Sequence, residues 1–168
     1  MQLLVIRHAI AMDREEFAES GESDDRRPLT RAGVKRMRKV AKGLREVVGK
    51  IDVIATSPYT RAVETATIVS DEFGLEPAEV SASLVPDVHF DELERWMQMH
   101  SSREVVAVVG HEPHLSGLVS WLMTGSGESR IELKKGGACL LDFGSAVRRG
   151  SGRLLWLMTP RQLRALGG

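Results

Sequence analysis

Leu3-Leu4-Val5-Ile6 is an unbroken aliphatic run that stops abruptly at Arg7-His8-Ala9. A half-exposed strand or an amphipathic helix would leave some of these four side chains in water. A short strand covered on both faces, as in a parallel sheet, buries them all. Val105-Val106-Ala107-Val108-Val109 has the same grammar and ends in Gly110-His111, and the run Ile51 to Ala55 leads into Thr56-Ser57-Pro58. Parallel strands need crossover connections, so helical patterns must lie between them.

The intervening patterns meet that requirement. Thr30 is an N-cap candidate for a helix with Val34, Met37, Val40, Ala41, Leu44 and Val47 on one face. A second helix runs from about Tyr59 to Phe73, turning Ala62, Thr65, Ala66 and Val69 inward, and a third passes through Phe90, Leu93, Trp96 and Met97. Gly74 to Asp87 between them is irregular. Pro113 opens a fourth helix carrying Leu115, Leu118, Val119 and Leu122 to a stop near Gly125. Gly137 to Phe143 and Arg153 to Met158 read as a hairpin, followed by a short helix after Pro160. The expected fold is a three-layer α/β/α sandwich: a mostly parallel central sheet, helices on both faces, and an antiparallel edge near the C-terminus. With 168 residues and neither repeat nor linker, residues 1–168 are expected to form a single domain.

Composition narrows the function classes. A formal net charge of zero gives no bulk attraction to nucleic acid or anionic lipid. Cys139 is the one cysteine, so neither an internal disulfide nor a cysteine-rich zinc site can form, and a reducing compartment is implied. No apolar run reaches the roughly 18 residues of a membrane span, and the N-terminus enters a strand without a basic-then-apolar leader. A cytoplasmic protein without membrane or nucleic-acid partners is expected.

In open α/β sheets ligands bind outside the carboxyl ends of the strands. The residues there are Arg7 and His8, then Ser57 with Arg61 in the first turn of the following helix, then Gly110-His111. Each has an ordinary explanation alone: Arg7 as a salt-bridged strand end, His8 as a satisfied histidine, Arg61 as a partner of Glu64 or another acid. Parallel strands would bring all of them into one crevice. Two arginines and two histidines there, beside a helix N-terminus, suit a doubly charged phosphoryl group. The pair His111-x-x-His114 straddles a strand end and a helix start, which is poor spacing for a metal, and none is expected.

Arg7-His8-Ala9, Leu29-Thr30-x-x-Gly33, Ser57-Pro58-x-x-Arg61-Ala62-x-x-Thr65-Ala66 and Gly110-His111, in this order and spacing, resemble the histidine phosphatase superfamily. The short length and the segment Val109-Gly110-His111-Glu112-Pro113 are most similar to its SixA-type phosphohistidine phosphatases. The resemblance implies that His8 is a nucleophile that becomes transiently phosphorylated, that Arg7, Arg61 and His111 hold the phosphoryl oxygens with Ser57 beside them, and that no cofactor takes part. It further implies a phosphorylated protein as partner, such as a histidine-containing phosphotransfer domain. Ala9 stands where the family usually has glycine. No residue matches the general acid of the family's esterases cleanly, and Asp87 is the nearest candidate. Two alternatives stay open: a small-molecule phosphomonoesterase using Asp87, and a non-catalytic phospho-ligand module.

Two charged stretches are unassigned at this level. Ile10 to Arg27 has seven acids and no periodicity, and reads as an exposed acidic loop. The outer face of the Thr30 helix carries Lys35, Arg36, Arg38, Lys39, Lys42 and Arg45, a solvated face or a surface for an acidic partner.

Overall fold

The computed structural model describes residues 1–86, 88–144 and 146–168. Among the described residues six strands form one sheet: β1 (Gln2–Arg7), β2 (Val53–Thr56), β3 (Glu79–Val80), β4 (Val105–Gly110), β5 (Ala138–Asp142) and β6 (Arg153–Met158), in the spatial order β3-β2-β4-β1-β5-β6. β1, β4, β2 and β3 are mutually parallel, whereas β5 runs antiparallel to both β1 and β6. The expected mixed architecture is therefore the observed one. Two-residue β3 lies within the stretch expected to be irregular. Both of its residues are exposed, so no apolar pattern marks it.

Side chains alternate across the sheet with the two-residue period of a strand. Leu4, Ile6, Ile54, Ala107 and Val109 face one core, closed by α2 (Arg31–Val48), α3 (Thr60–Phe73) and α6 (Pro160–Leu166). Leu3, Val5, Ala55, Val106 and Val108 face the other, closed by α4 (Asp91–Met99) and α5 (His114–Thr124). The uninterrupted runs follow from this double coverage, since neither face of β1 or β4 is left to water.

α2 begins where its cap expects: Thr30 Oγ1 accepts from the Gly33 N–H at 2.9 Å. Gly33 is needed for close approach, because a Cβ there would sit 2.1 Å from the Ile10 carbonyl oxygen. The segment from Ile10 to Arg27 is more ordered than an exposed loop. It holds α1 (Arg14–Ala18), capped by the Asp13 carboxylate at the N–H groups of Glu15 and Glu16, and a 3-10 turn over Asp24–Arg26. Phe17 and Arg27 are buried, and Ala11 bridges to Leu29. A five-residue helix is too short to show periodicity, which is why the sequence conceals it. Among the described residues no helix is long and apolar enough to cross a membrane.

Candidate active site

β1 delivers Arg7 and His8 at its carboxyl end and the backbone fixes both. The His8 N–H donates to the Gly110 carbonyl at 3.0 Å, the Arg7 N–H to Gly137 at 3.0 Å, and the Gly136 N–H to the carbonyls of Arg7 and His8 at 3.2 and 3.1 Å. The Ala9 N–H donates to Thr65 Oγ1 at 3.0 Å, and the Thr65 hydroxyl donates to the Arg61 carbonyl at 2.7 Å. One threonine thus ties the histidine loop to the turn of α3 that carries Arg61.

The His8 ring is 6% exposed, and its Nδ1 lies 2.7 Å from the Ala9 carbonyl oxygen. A carbonyl only accepts, so Nδ1 carries the hydrogen. Burial lowers the His8 pKa from 6.5 to about 4, with Arg61, Arg7 and Lys135 adding to the shift against the opposing Ala9 bond. Desolvation is the largest of these causes, ahead of the two guanidinium groups. At neutral pH the ring is therefore uncharged, with its lone pair on Nε2.

His111 enters from the end of β4, its ring centroid 5.1 Å from that of His8. Its Nε2 is 2.8 Å from Ser57 Oγ, which also receives the Tyr59 N–H at 3.4 Å. The Ser57 hydroxyl has one hydrogen and a second lone pair, so it can meet either tautomer of His111, and it donates to Nε2 when the ring hydrogen is on Nδ1. Nδ1 is buried without a hydrogen-bond partner among the described residues. Burial, then His8 and Arg61, lower the His111 pKa to about 3. Tyr59 packs between the two arms, 4.9 Å from the His111 ring and 4.9 Å from the Arg61 guanidinium carbon.

Arg61 is buried and pairs with Asp24, not with Glu64: its guanidinium donates to the Asp24 carbonyl at 2.7 Å and lies 3.1 Å from Asp24 Oδ2. Glu64 instead accepts the Leu29 N–H at 2.7 Å. Asp24 also receives Arg27 at 2.8 Å and Arg14 at 3.4 Å. Its own desolvation raises its pKa, but Arg27, Arg61 and Arg14 outweigh that and hold it below the usual carboxylate range. Arg7 donates to the Leu133 carbonyl at 2.6 Å, while its Nε, like that of Arg61, is buried without a partner among the described residues. Both guanidinium pKa values are lowered by burial, yet a guanidinium remains charged at neutral pH.

Arg7, His8, Arg61 and His111 line one pocket of about 440 Å³, with Ser57 behind His111. Arg14, Arg27, Lys135 and Glu112 line it too, and none of these four is conspicuous in the sequence. Arg27 and Asp24 look like two charges in a charged loop, and only tertiary contact separates them from their neighbours. Glu112 follows His111 directly, which was the available signal. Burial raises its pKa, its Oε2 lies 2.6 Å from the Ser116 hydroxyl, and its Oε1 is buried without a partner among the described residues. Asp87 lies outside the described residues. His114 turns to another environment, with Nε2 3.2 Å from the Ser83 carbonyl and its ring against Phe90. Among the described residues no cluster of three or more His, Cys, Asp or Glu is arranged to hold a metal ion.

Cations and histidines gathered at strand ends around one pocket fit a phosphoryl-transfer class of α/β protein. Residues 3–85 match the family model of the histidine phosphatase superfamily (branch 1), and the chain belongs to that superfamily, which supports phosphatase activity. An uncharacterized protein of Picosynechococcus sp. is 34% identical over 165 residues, covering 95% of this chain and 96% of its own. The phosphohistidine phosphatase SixA of Escherichia coli is 29% identical over 167 residues, covering 98% and 97%. A structure of the protein histidine phosphatase SixA complexed with tungstate superimposes with a TM-score of 0.82 at 28% identity, over 97% of this chain and 99% of that one. The α-ribazole phosphatase from Shigella flexneri shares the fold alone, with a TM-score of 0.72 at 19% identity over 95% and 97% of the two chains.

Proposed function

We propose that this protein hydrolyses phosphohistidine on a partner protein through a covalent phosphohistidine on His8, a histidine-containing phosphotransfer domain being the kind of partner that suits it. The observation that carries this is the His8 tautomer: Nδ1 is committed to the Ala9 carbonyl, so a neutral Nε2 lone pair is presented among cations. His8 Nε2 attacks phosphorus in line, and the P–N bond to the substrate imidazole breaks with its electron pair going to that nitrogen. Arg7 and Arg61 neutralise the equatorial oxygens, and His111 donates from Nδ1 in the tautomer whose Nε2 accepts the Ser57 hydroxyl. These groups are fixed before reaction, so they need no solvent reorganisation.

The leaving imidazole needs one proton. Glu112 lines the pocket, and burial shifts its carboxyl toward the neutral form, which makes it the group to supply that proton. Water then attacks the phosphorus of phospho-His8, releases phosphate, and returns a proton to the carboxylate, so the cycle balances without a further reagent. The substrate preference is supported by similarity to SixA along nearly the full length of both chains. The direct test is a substrate panel. Phosphohistidine on a phosphotransfer protein should be turned over with higher kcat/KM than sugar or serine phosphates, and His8→Ala should turn over neither. Faster hydrolysis of the esters would reject the specificity.

A further inference from the structure

Beside the catalytic pocket lies a second concavity, of about 360 Å³, that phosphoryl chemistry does not use. Its floor is apolar, built from the nearly buried Ala9, Met37 and Val40 and the more exposed Pro160, and its rim is formed by Arg36, Lys134, Lys135, Arg161 and Arg164. Among the described residues no carboxylate lines it. Lys134 pairs with Glu132, but Arg36, Lys135, Arg161 and Arg164 make no ion pair or side-chain hydrogen bond among the described residues. In a chain of zero net charge such one-signed clustering is a segregation, not a consequence of composition.

The two concavities adjoin at Lys135. Lys135 lines both and lies near enough to His8 to lower its pKa, and Ala9, the residue after His8, reaches the apolar floor. A phosphoryl group needs only the catalytic pocket. The adjoining groove offers a small apolar floor inside a rim of cations, four of them unpaired among the described residues, which is the complement of a helix with a narrow apolar face and acidic flanks.

We propose that the groove between α2, α6 and the His8 loop is the docking surface for an acidic amphipathic helix of the phosphoprotein substrate, holding that helix while its phosphohistidine enters the pocket. The proposal rests on the phosphohistidine-protein reading of the site. Charge complementarity selects the partner: an apolar strip alone would take any hydrophobic helix, whereas this rim rejects basic ones.

The test uses two synthetic helical peptides of about 20 residues, long enough to hold helix in water, with the same apolar face and with Glu or Lys flanks, each made with and without phosphohistidine. The full-length protein is compared with R36E/R161E/R164E and with the milder R36Q/R161Q/R164Q, which serves if charge reversal disturbs the fold seen by circular dichroism. Fluorescence anisotropy should show the unphosphorylated Glu peptide binding roughly tenfold more tightly than the Lys peptide, with the difference shrinking in high salt and in both variants. The kcat/KM for the phosphorylated Glu peptide should fall by a similar factor in the variants while turnover of phosphoramidate is unchanged. Equal binding of the two peptides overturns the proposal, as does a variant that loses phosphoramidate turnover in proportion. If neither phosphopeptide is hydrolysed but the Glu peptide still binds and the variants release it, the groove stands and the phosphohistidine reading falls.

Discussion

At the scale of single residues the site is a set of protonation states fixed by neighbours. Asp24 neutralises Arg61 on one side of the pocket. Asp24→Asn should therefore leave a more positive site and tighten competitive inhibition by inorganic phosphate by about three- to tenfold, measured as Ki at neutral pH. The same change removes the shared counterion of Arg14, Arg27 and Arg61, so the melting temperature should fall. Glu112→Gln should slow phosphohistidine turnover about a hundredfold, since a positioned proton donor is lost. It should slow p-nitrophenyl phosphate far less, because that leaving group departs without a proton. Similar losses on both substrates would assign Glu112 to orientation instead. Buried Cys139, its thiol pushed up to about 12 by burial and by Glu112, has no reactive part in this scheme.

At the scale of elements, the chemistry depends on how tightly α2 and α3 close on the loop after β1. Gly33→Ala would place a methyl against the Ile10 carbonyl, two residues beyond His8. Overpacking of this kind should cost about 1–3 kcal/mol in urea unfolding and lower kcat through displaced His8, with little change in the far-ultraviolet spectrum. The elements were legible in the sequence where burial was continuous: β1, β2 and β4 are aliphatic runs, and Arg7, His8 and His111 are conspicuous because they end those runs. α1, β3 and the 3-10 turn were not legible, being only five, two and three residues long. Their order comes from the local Asp13 cap, an edge pairing and the Asp24 cluster, of which the last two depend on chain segments distant in sequence. Arg61 was placed correctly in the first turn of its helix, yet its partner was not foreseeable, because Asp24 is 37 residues away.

At the scale of the whole molecule, burying two uncharged histidines makes stability depend on pH. His8 and His111, ordinarily near 6.5, are lowered to about 4 and about 3, so between those values and 6.5 the unfolded chain binds more protons than the folded one. Stability then rises with pH across that window, is complete above 6.5, and is lost as pH falls toward 4. Asp24 and Asp52, held low by arginines and by backbone N–H groups respectively, act in the same direction, whereas Glu112 opposes them. Urea unfolding at pH 7 and pH 4.5 should differ by on the order of a few kcal/mol. The central claim is that His8 carries the phosphoryl group, and its most direct measurement is mass spectrometry of the protein quenched in alkali during turnover of a phosphohistidine substrate. The account predicts an acid-labile, base-stable phosphate on His8 that is absent from His8→Ala together with all turnover. Turnover that persists in His8→Ala, or that proceeds in the unmodified protein with no phosphate on His8, would contradict it.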